Sequence, residues 1–381
     1  MRQLAVRIAA LCGACVLAAC STVEMTPSVS DLSPYGRDYL GDWVPEGLEN
    51  RHNWPAHFTV APDGSGTHTS VQAAIDDVPE WREGAPRVFI LIQPGTYREI
   101  VCAQNKVPFT LFARAPAHQV VLIEGRYNAL KKPVGQVANP CAPNTQSATY
   151  GTFSSATVTI HSTAVHLVGF TVQNDAMDRV QNGQGYPEGV GITGGPQAVA
   201  LAVQGDRIQL SQMRLIGHQD TFFADKTPEP VGRVHVKESI IAGDMDFIFG
   251  GAKLVIDQCL IISRAGRSPA SQIQHVLAPS TPADEARGFL VTHSRLLAEP
   301  GVADGMVTIA RPWDHAVKPG EWMPGVSPNG QLIITQSYLG PHLGLWGTST
   351  SGRVPGSTIS DAFRFKSIQN FKTSEVASSV K

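Results

Sequence analysis

Val165-His-Leu-Val-Gly-Phe-Thr-Val172, Ile208-Gln-Leu-Ser-Gln-Met-Arg-Leu215, Val234-His-Val-Lys-Glu-Ser-Ile-Ile241 and Leu254-Val-Ile-Asp-Gln-Cys-Leu-Ile261 are four statements of one phrase. Each joins a short β-prone run, a polar step and a second short run, and two further copies begin at Phe289 and Leu332. The starts at 208, 234 and 254 are 26 and 20 residues apart, close to one coil of a parallel β-solenoid. The 43 residues from 165 to 208 read as two coils. Such a phrase cannot bury its apolar face alone, so the coils must stack. A β-sandwich would show two-residue hairpin turns, and a doubly wound fold would need long amphipathic helices between strands; neither pattern is present. The fold class is therefore all-β, a parallel solenoid over residues 56–381 as one domain. One helix is expected over Ser70 to Val78, with Val71, Ala74, Ile75 and Val78 on one face, capping the open end of the stack.

The repeat also aligns two acids. Asp220 lies twelve residues beyond Ile208, and Asp246 twelve beyond Val234. On adjacent coils they stack at one position around the solenoid, separated by about the inter-strand spacing of ~4.8 Å. Two carboxylates that close do not both ionise readily, so one is driven toward the acid form unless a cation holds the other.

The chain has 381 residues, is 42% hydrophobic and 16% charged, and carries a formal net charge of −2. That composition supports a large core and excludes disorder. Without a clustered basic run there is no electrostatic footprint for nucleic acid. At the start, Arg2 and Arg7 precede an apolar stretch from Ile8 to Ala19, long enough for a signal-peptide core but short for a membrane span. It ends in Leu17-Ala-Ala-Cys20, which resembles a bacterial lipobox. Residues 1–19 are then a lipoprotein signal peptide, Cys20 is the lipidated first residue, and 20–55 form a tether rich in Ser, Pro and Gly. With Ser21 after the Cys, the expected place is the outer membrane, facing the periplasm or the cell surface. Of the six cysteines, Cys12 and Cys15 leave with the signal. In the exported domain Cys102 and Cys141 are a candidate pair and Cys259 a candidate buried thiol, with connectivity left open.

Five segments, in order, add a resemblance. They are Gly95-Thr-Tyr-Arg-Glu99, Gln197-Ala-Val-Ala-Leu201, Gly217-His-Gln-Asp-Thr-Phe222, Gly243-Asp-Met-Asp-Phe-Ile-Phe-Gly250 and Ala310-Arg-Pro-Trp313. They resemble the signature blocks of the pectin methylesterases (pectinesterases, carbohydrate esterase family 8), with Val60-Ala-Pro-Asp-Gly-Ser-Gly66 similar to the opening strand and turn. The resemblance covers about residues 56 to 372. It implies a right-handed single-stranded parallel β-helix, a monomer, and hydrolysis of the C6 methyl esters of polygalacturonate without metal or other cofactor. By position, Asp246 is similar to the nucleophile and Asp220 to the general acid and base. Gln197 and Gln219 resemble the amides that meet the oxyanion, and Arg311 the arginine on the nucleophile. Trp313, Phe249, Phe223 and Met245 correspond to the sugar-binding wall. Two departures, Phe222-Phe223 in the third block and Ala310 in the last, remove no reacting group.

Each residue also has a plainer reading. The aspartates follow Gly217 and Gly243 and are common turn formers. The glutamines are able to ladder along a coil, the aromatics to be core, and His218 is read as structural. Competing functions are an acetyl or thioester hydrolase using the same dyad, or a carbohydrate-binding scaffold without turnover.

Overall fold

The computed structural model describes residues 34–191, 195–226, 231–354 and 364–379; Cys20 and the expected signal segment lie outside them. The described strands form three parallel sheets of ten, eight and nine strands, to which successive coils contribute in turn. Each recurring phrase supplies a strand of the ten-stranded sheet, turns a corner, and supplies one of the nine-stranded sheet. The corner is the fifth residue of every copy. Gly169, Gln212, Glu238, Gln258, His293 and Gln336 have φ of 78°, 54°, 51°, 55°, 46° and 51°, the left-handed region that bends the chain sharply. The polar step in the sequence is this corner.

Register follows the phrase. Ile208, Val234, Leu254, Phe289 and Leu332 lie opposite one another through the stack, all fully buried. The sixth positions form a second ladder. Backbone N–H groups of Met213, Ser239, Cys259 and Ser294 donate to Ser239 Oγ (3.0 Å), Cys259 Sγ (3.4 Å), Ser294 Oγ (3.0 Å) and Ser337 Oγ (3.1 Å) on the next coil. Cys259 is thus the buried free thiol expected, and burial pushes its pKa up.

One spacing differs from the two coils expected of it. Gln209 pairs directly with His166, so the 43 residues from 165 to 208 are a single coil. The extra length lies between the strands Thr171–Asn174 and Leu201–Gln204. Core packing holds strand register, while a corner admits loops of almost any length at small entropic cost.

The helix forms at Val71–Asp76, with Ser70 Oγ accepting from Ala73 N–H and with Val71, Ala74 and Ile75 buried. It sits at the end of the stack beside the edge strand Phe58–Val60, where it covers the core. Residues 34–55 differ from the free tether expected to reach residue 55. A helix at Pro34–Leu40 buries Tyr39 and Leu40 against Val255, Leu290 and Ile333 on the outer face of the ten-stranded sheet. Leu48 and Trp54 cover Phe112 and Val168. Polar composition concealed these few large apolar anchors, whose burial outweighs the entropy of a loose chain. Cys102 and Cys141 form a disulfide with Cα atoms 5.6 Å apart, tying the segment before residue 150 to the strand Val101–Gln104.

Truncating a stacked core residue tests the arrangement. Leu254→Ala is expected to lower stability by about 2–5 kcal/mol, seen as a reduced urea midpoint.

Candidate active site

The strands Phe222–Asp225 and Met245–Gly250 are neighbours in the eight-stranded sheet, with Phe222 opposite Ile248. That register puts Asp220 opposite Asp246, as the shared offset predicts. Just before the strands, Gln219 bridges to Met245, whose carbonyl accepts from Asp220 N–H at 3.0 Å. Both aspartates have left-handed backbone, φ 65° and 46°, a conformation Asp tolerates better than most residues. Gly243 permits the close approach of the two turns, because a Cβ there would stand 2.6 Å from His218 O and 2.3 Å from Phe247 Cβ. The carboxylates therefore sit on consecutive coils, about 4.8 Å apart along the axis.

Arg311 follows the strand Val307–Ala310, two strands further along the same sheet. Its Nε donates to Asp246 Oδ1 at 2.8 Å and its Nη2 to Oδ2, a bidentate clamp on one carboxylate. Burial raises Asp220 well above the usual carboxylate range, the charge of Asp246 raises it further, and Arg311 only partly opposes them. The arrangement thus leaves one acid clamped by a cation and the other biased toward its protonated form. On the intervening strand, burial lowers His275 to about 4, with Arg311 adding to the effect and Asp246 opposing it. His275 is neutral above that pH and leaves the clamp undisturbed.

Gln197 and Gln219 arrive on neighbouring coils, with Ala198 N–H donating to Gln219 O at 3.1 Å. The Gln197 side-chain oxygen is buried with no hydrogen-bond partner among the described residues. The aromatics form a band beside the acids. Phe153, Phe223, Phe249 and Trp313 follow at centroid distances of 4.8, 4.9 and 5.5 Å, and His315 stacks on Trp313 at 4.3 Å. Phe223 and Phe249 are only 2% and 4% exposed, so they do not present the open faces expected of them. Stacked rings cover one another, and these two support Trp313, which remains partly exposed. Met245 is likewise buried and contributes its carbonyl to the turn.

Comparison with known proteins gives the family. The Pectinesterase family model matches residues 57–318. A pectinesterase of Ralstonia solanacearum is 33% identical over 320 residues, covering 82% of this chain and 78% of its own.

The chain belongs to the pectinesterase family.

A pectinesterase of Sitophilus oryzae is 31% identical over 336 residues, covering 83% of this chain and 82% of its own. The solved rice weevil pectin methyl esterase superposes with a TM-score of 0.71 at 26% identity, covering 88% of this chain and 93% of that one. The right-handed parallel β-helix of these esterases is the fold of this one.

The sequence missed the layer behind the acids of this pectinesterase. His218, read as structural, spans two carboxylates, with Nδ1 2.8 Å from Asp244 Oδ2 and Nε2 3.1 Å from Asp178 Oδ1. Arg267 binds Asp244 through Nε at 2.6 Å and Nη2 at 2.5 Å, while Arg264 donates to Gly217 O at 2.7 Å. One turn carries His218 and Asp220, the other Asp244 and Asp246, so this network ties the two turns together. The Asp-Met-Asp alternation in the fourth block was the available signal, since residues two apart share a side and can work in parallel. Nothing local pointed to Arg267.

Burial opposes ionisation of Asp244, but Arg267 and then His218 hold it well below the usual carboxylate range. Its stabilisation is present above the unfolded value and is lost as pH falls through the folded one. At neutral pH, Asp244→Asn leaves Arg267 buried without its counter-charge and is expected to cost about 3–5 kcal/mol, measured by urea unfolding.

Proposed function

We propose that the enzyme hydrolyses the C6 methyl esters of homogalacturonan to pectate and methanol, with Asp246 as nucleophile and Asp220 as acid and then base. The observation that carries this reading is the in-register carboxylate pair in which Arg311 clamps only Asp246. Burial and the neighbouring Asp246 charge bias Asp220 toward its protonated form, so the proton resides there.

A carboxylate oxygen of Asp246 attacks the ester carbonyl, and the carbonyl electron pair moves to oxygen. Gln197 and Gln219 donate side-chain N–H groups to that oxyanion; one such donor is typically worth about 3 kcal/mol in the barrier. Collapse breaks the bond to the methoxy oxygen, which takes the Asp220 proton and leaves as methanol. An anhydride then joins Asp246 to C6. The Asp220 carboxylate removes a proton from water, the hydroxide attacks the anhydride, and Asp246 departs as carboxylate with Asp220 again protonated. Trp313, propped by Phe249 and Phe223, offers an apolar face to a galacturonate ring.

Asp246→Asn is expected to reduce methanol release from methylated pectin by at least ~10³ without unfolding, because an amide cannot form the anhydride. In the unaltered enzyme, activity is expected to fall as pH rises through the elevated Asp220 value, above the ordinary carboxylate range, as the acid form is lost. A pH–rate profile without that alkaline limb would exclude Asp220 as the acid.

The same proposal gives the enzyme a place. Cys20, lipidated, holds a monomeric β-helix to the outer membrane by its acyl chains. Cys20→Ser is expected to move full activity from the membrane fraction to the soluble one. Retention after a carbonate wash would refute the anchor and leave the esterase reading intact.

A further inference from the structure

The eight-stranded sheet carries a second polar row, beyond the aromatic band and away from the catalytic acids. Gln104 lies opposite His161, and Gln204 opposite Asp225, with Val203 opposite Ile160 placing Gln204 beside His161. Their predecessors Ala103, Ile160 and Val203 are core residues, so strand alternation turns this row outward. By register, Asp220 comes three residues before Phe223 and Asp225 two residues after it. On that strand Phe223 stands between Asp220 and the row, and on the neighbouring coils Ala202 and Thr159 take its place.

A cavity of about 570 Å³ opens over the row, lined also by Trp81, Lys106 and Arg207. Trp81 is 54% exposed, and its backbone N–H donates to Asn105 O at 2.8 Å. A large ring is thus positioned without being packed. His161 Nε2 and Gln204 Oε1 are 2.5 Å apart, which fixes both side chains. Lys106 Nζ donates to Asp76 O at 3.1 Å and Val78 O at 2.8 Å, leaving one of its three N–H groups. The neighbouring Asp206 is engaged by Arg233 through Nε at 2.8 Å and Nη2 at 2.7 Å. Arg207 Nε also lies 3.6 Å from Asp206 Oδ2, so this one carboxylate faces two arginines, and Arg207 with Lys106 outnumber it at the cavity wall.

A de-esterified uronate chain offers an apolar ring face, hydroxyls and one carboxylate per ring. Trp81 suits the first, the Gln104, His161 and Gln204 row the second, and Lys106 with Arg207 the third. The row repeats about every 4.8 Å, so a polymer lying along the solenoid axis meets one side chain per coil. We propose that this cavity is an accessory binding site for de-esterified galacturonan, the anionic product, which keeps the enzyme on partly processed polymer. The inference takes the polymer from the pectinesterase reading but needs no turnover.

The test is calorimetric binding of polygalacturonate, which has no ester to cleave, to the full chain and to Trp81→Ala and Arg207→Gln. Each substitution is expected to weaken binding about tenfold, and added salt to weaken that of the unaltered chain. Methanol release from a short methyl-esterified oligogalacturonide serves as the check on folding. Should Trp81→Ala lose that turnover, the exposed Arg207→Gln variant decides. Unchanged affinity in a folded variant overturns the site. Equal, salt-independent binding of fully methylated pectin overturns the anionic ligand. Failure of the esterase reading would appear separately, as absence of methanol from the unaltered chain.

Discussion

Everything chemical in this molecule depends on the hydrogen-bonded spacing between coils. Parallel strands lie about 4.8 Å apart, and the core residues Ile208, Val234 and Leu254 lock them in register. A slip of one residue would turn Asp220 and Asp246 to opposite faces of the sheet. The backbone thus brings two carboxyl groups together and holds them there. Neither acid needs affinity for the other, since the stack supplies the proximity.

Proximity alone would leave two equivalent acids. The asymmetry comes from Arg311, delivered two strands away and aimed at only one of them. Behind them Arg267, Asp244 and His218 neutralise a buried charge and tie the turns together. Buried ionic groups are costly unless fully paired, and here the pairing also keeps the acids in position. The paired acids and the network that fixes their turns are thus two separate sets of charges on the same two coils.

The outer face of the sheet is divided by its aromatics. Phe153, Phe223, Phe249 and Trp313 support one another in a band. Asp220 and Asp246 lie before it and the amide row after it. A repetitive scaffold offers the same outward position on every coil, so a polymer can be met several times along one axis.

Much was legible in the residues alone. The phrase beginning at Ile208, Val234 and Leu254 carried the coil, and the common offset of Asp220 and Asp246 placed the acids together. Those features are periodic, and a period is a local property that survives without knowledge of partners. Other features were settled only by tertiary packing. The 43-residue coil, the docking of Tyr39 on Val255 and Leu290, the covering of Phe223 and Phe249, and the reach of Arg267 to Asp244 all join residues far apart in the chain. Sequence determined which residues repeat; three-dimensional contact decided which of them meet, because burial and charge pairing are properties of neighbours in space.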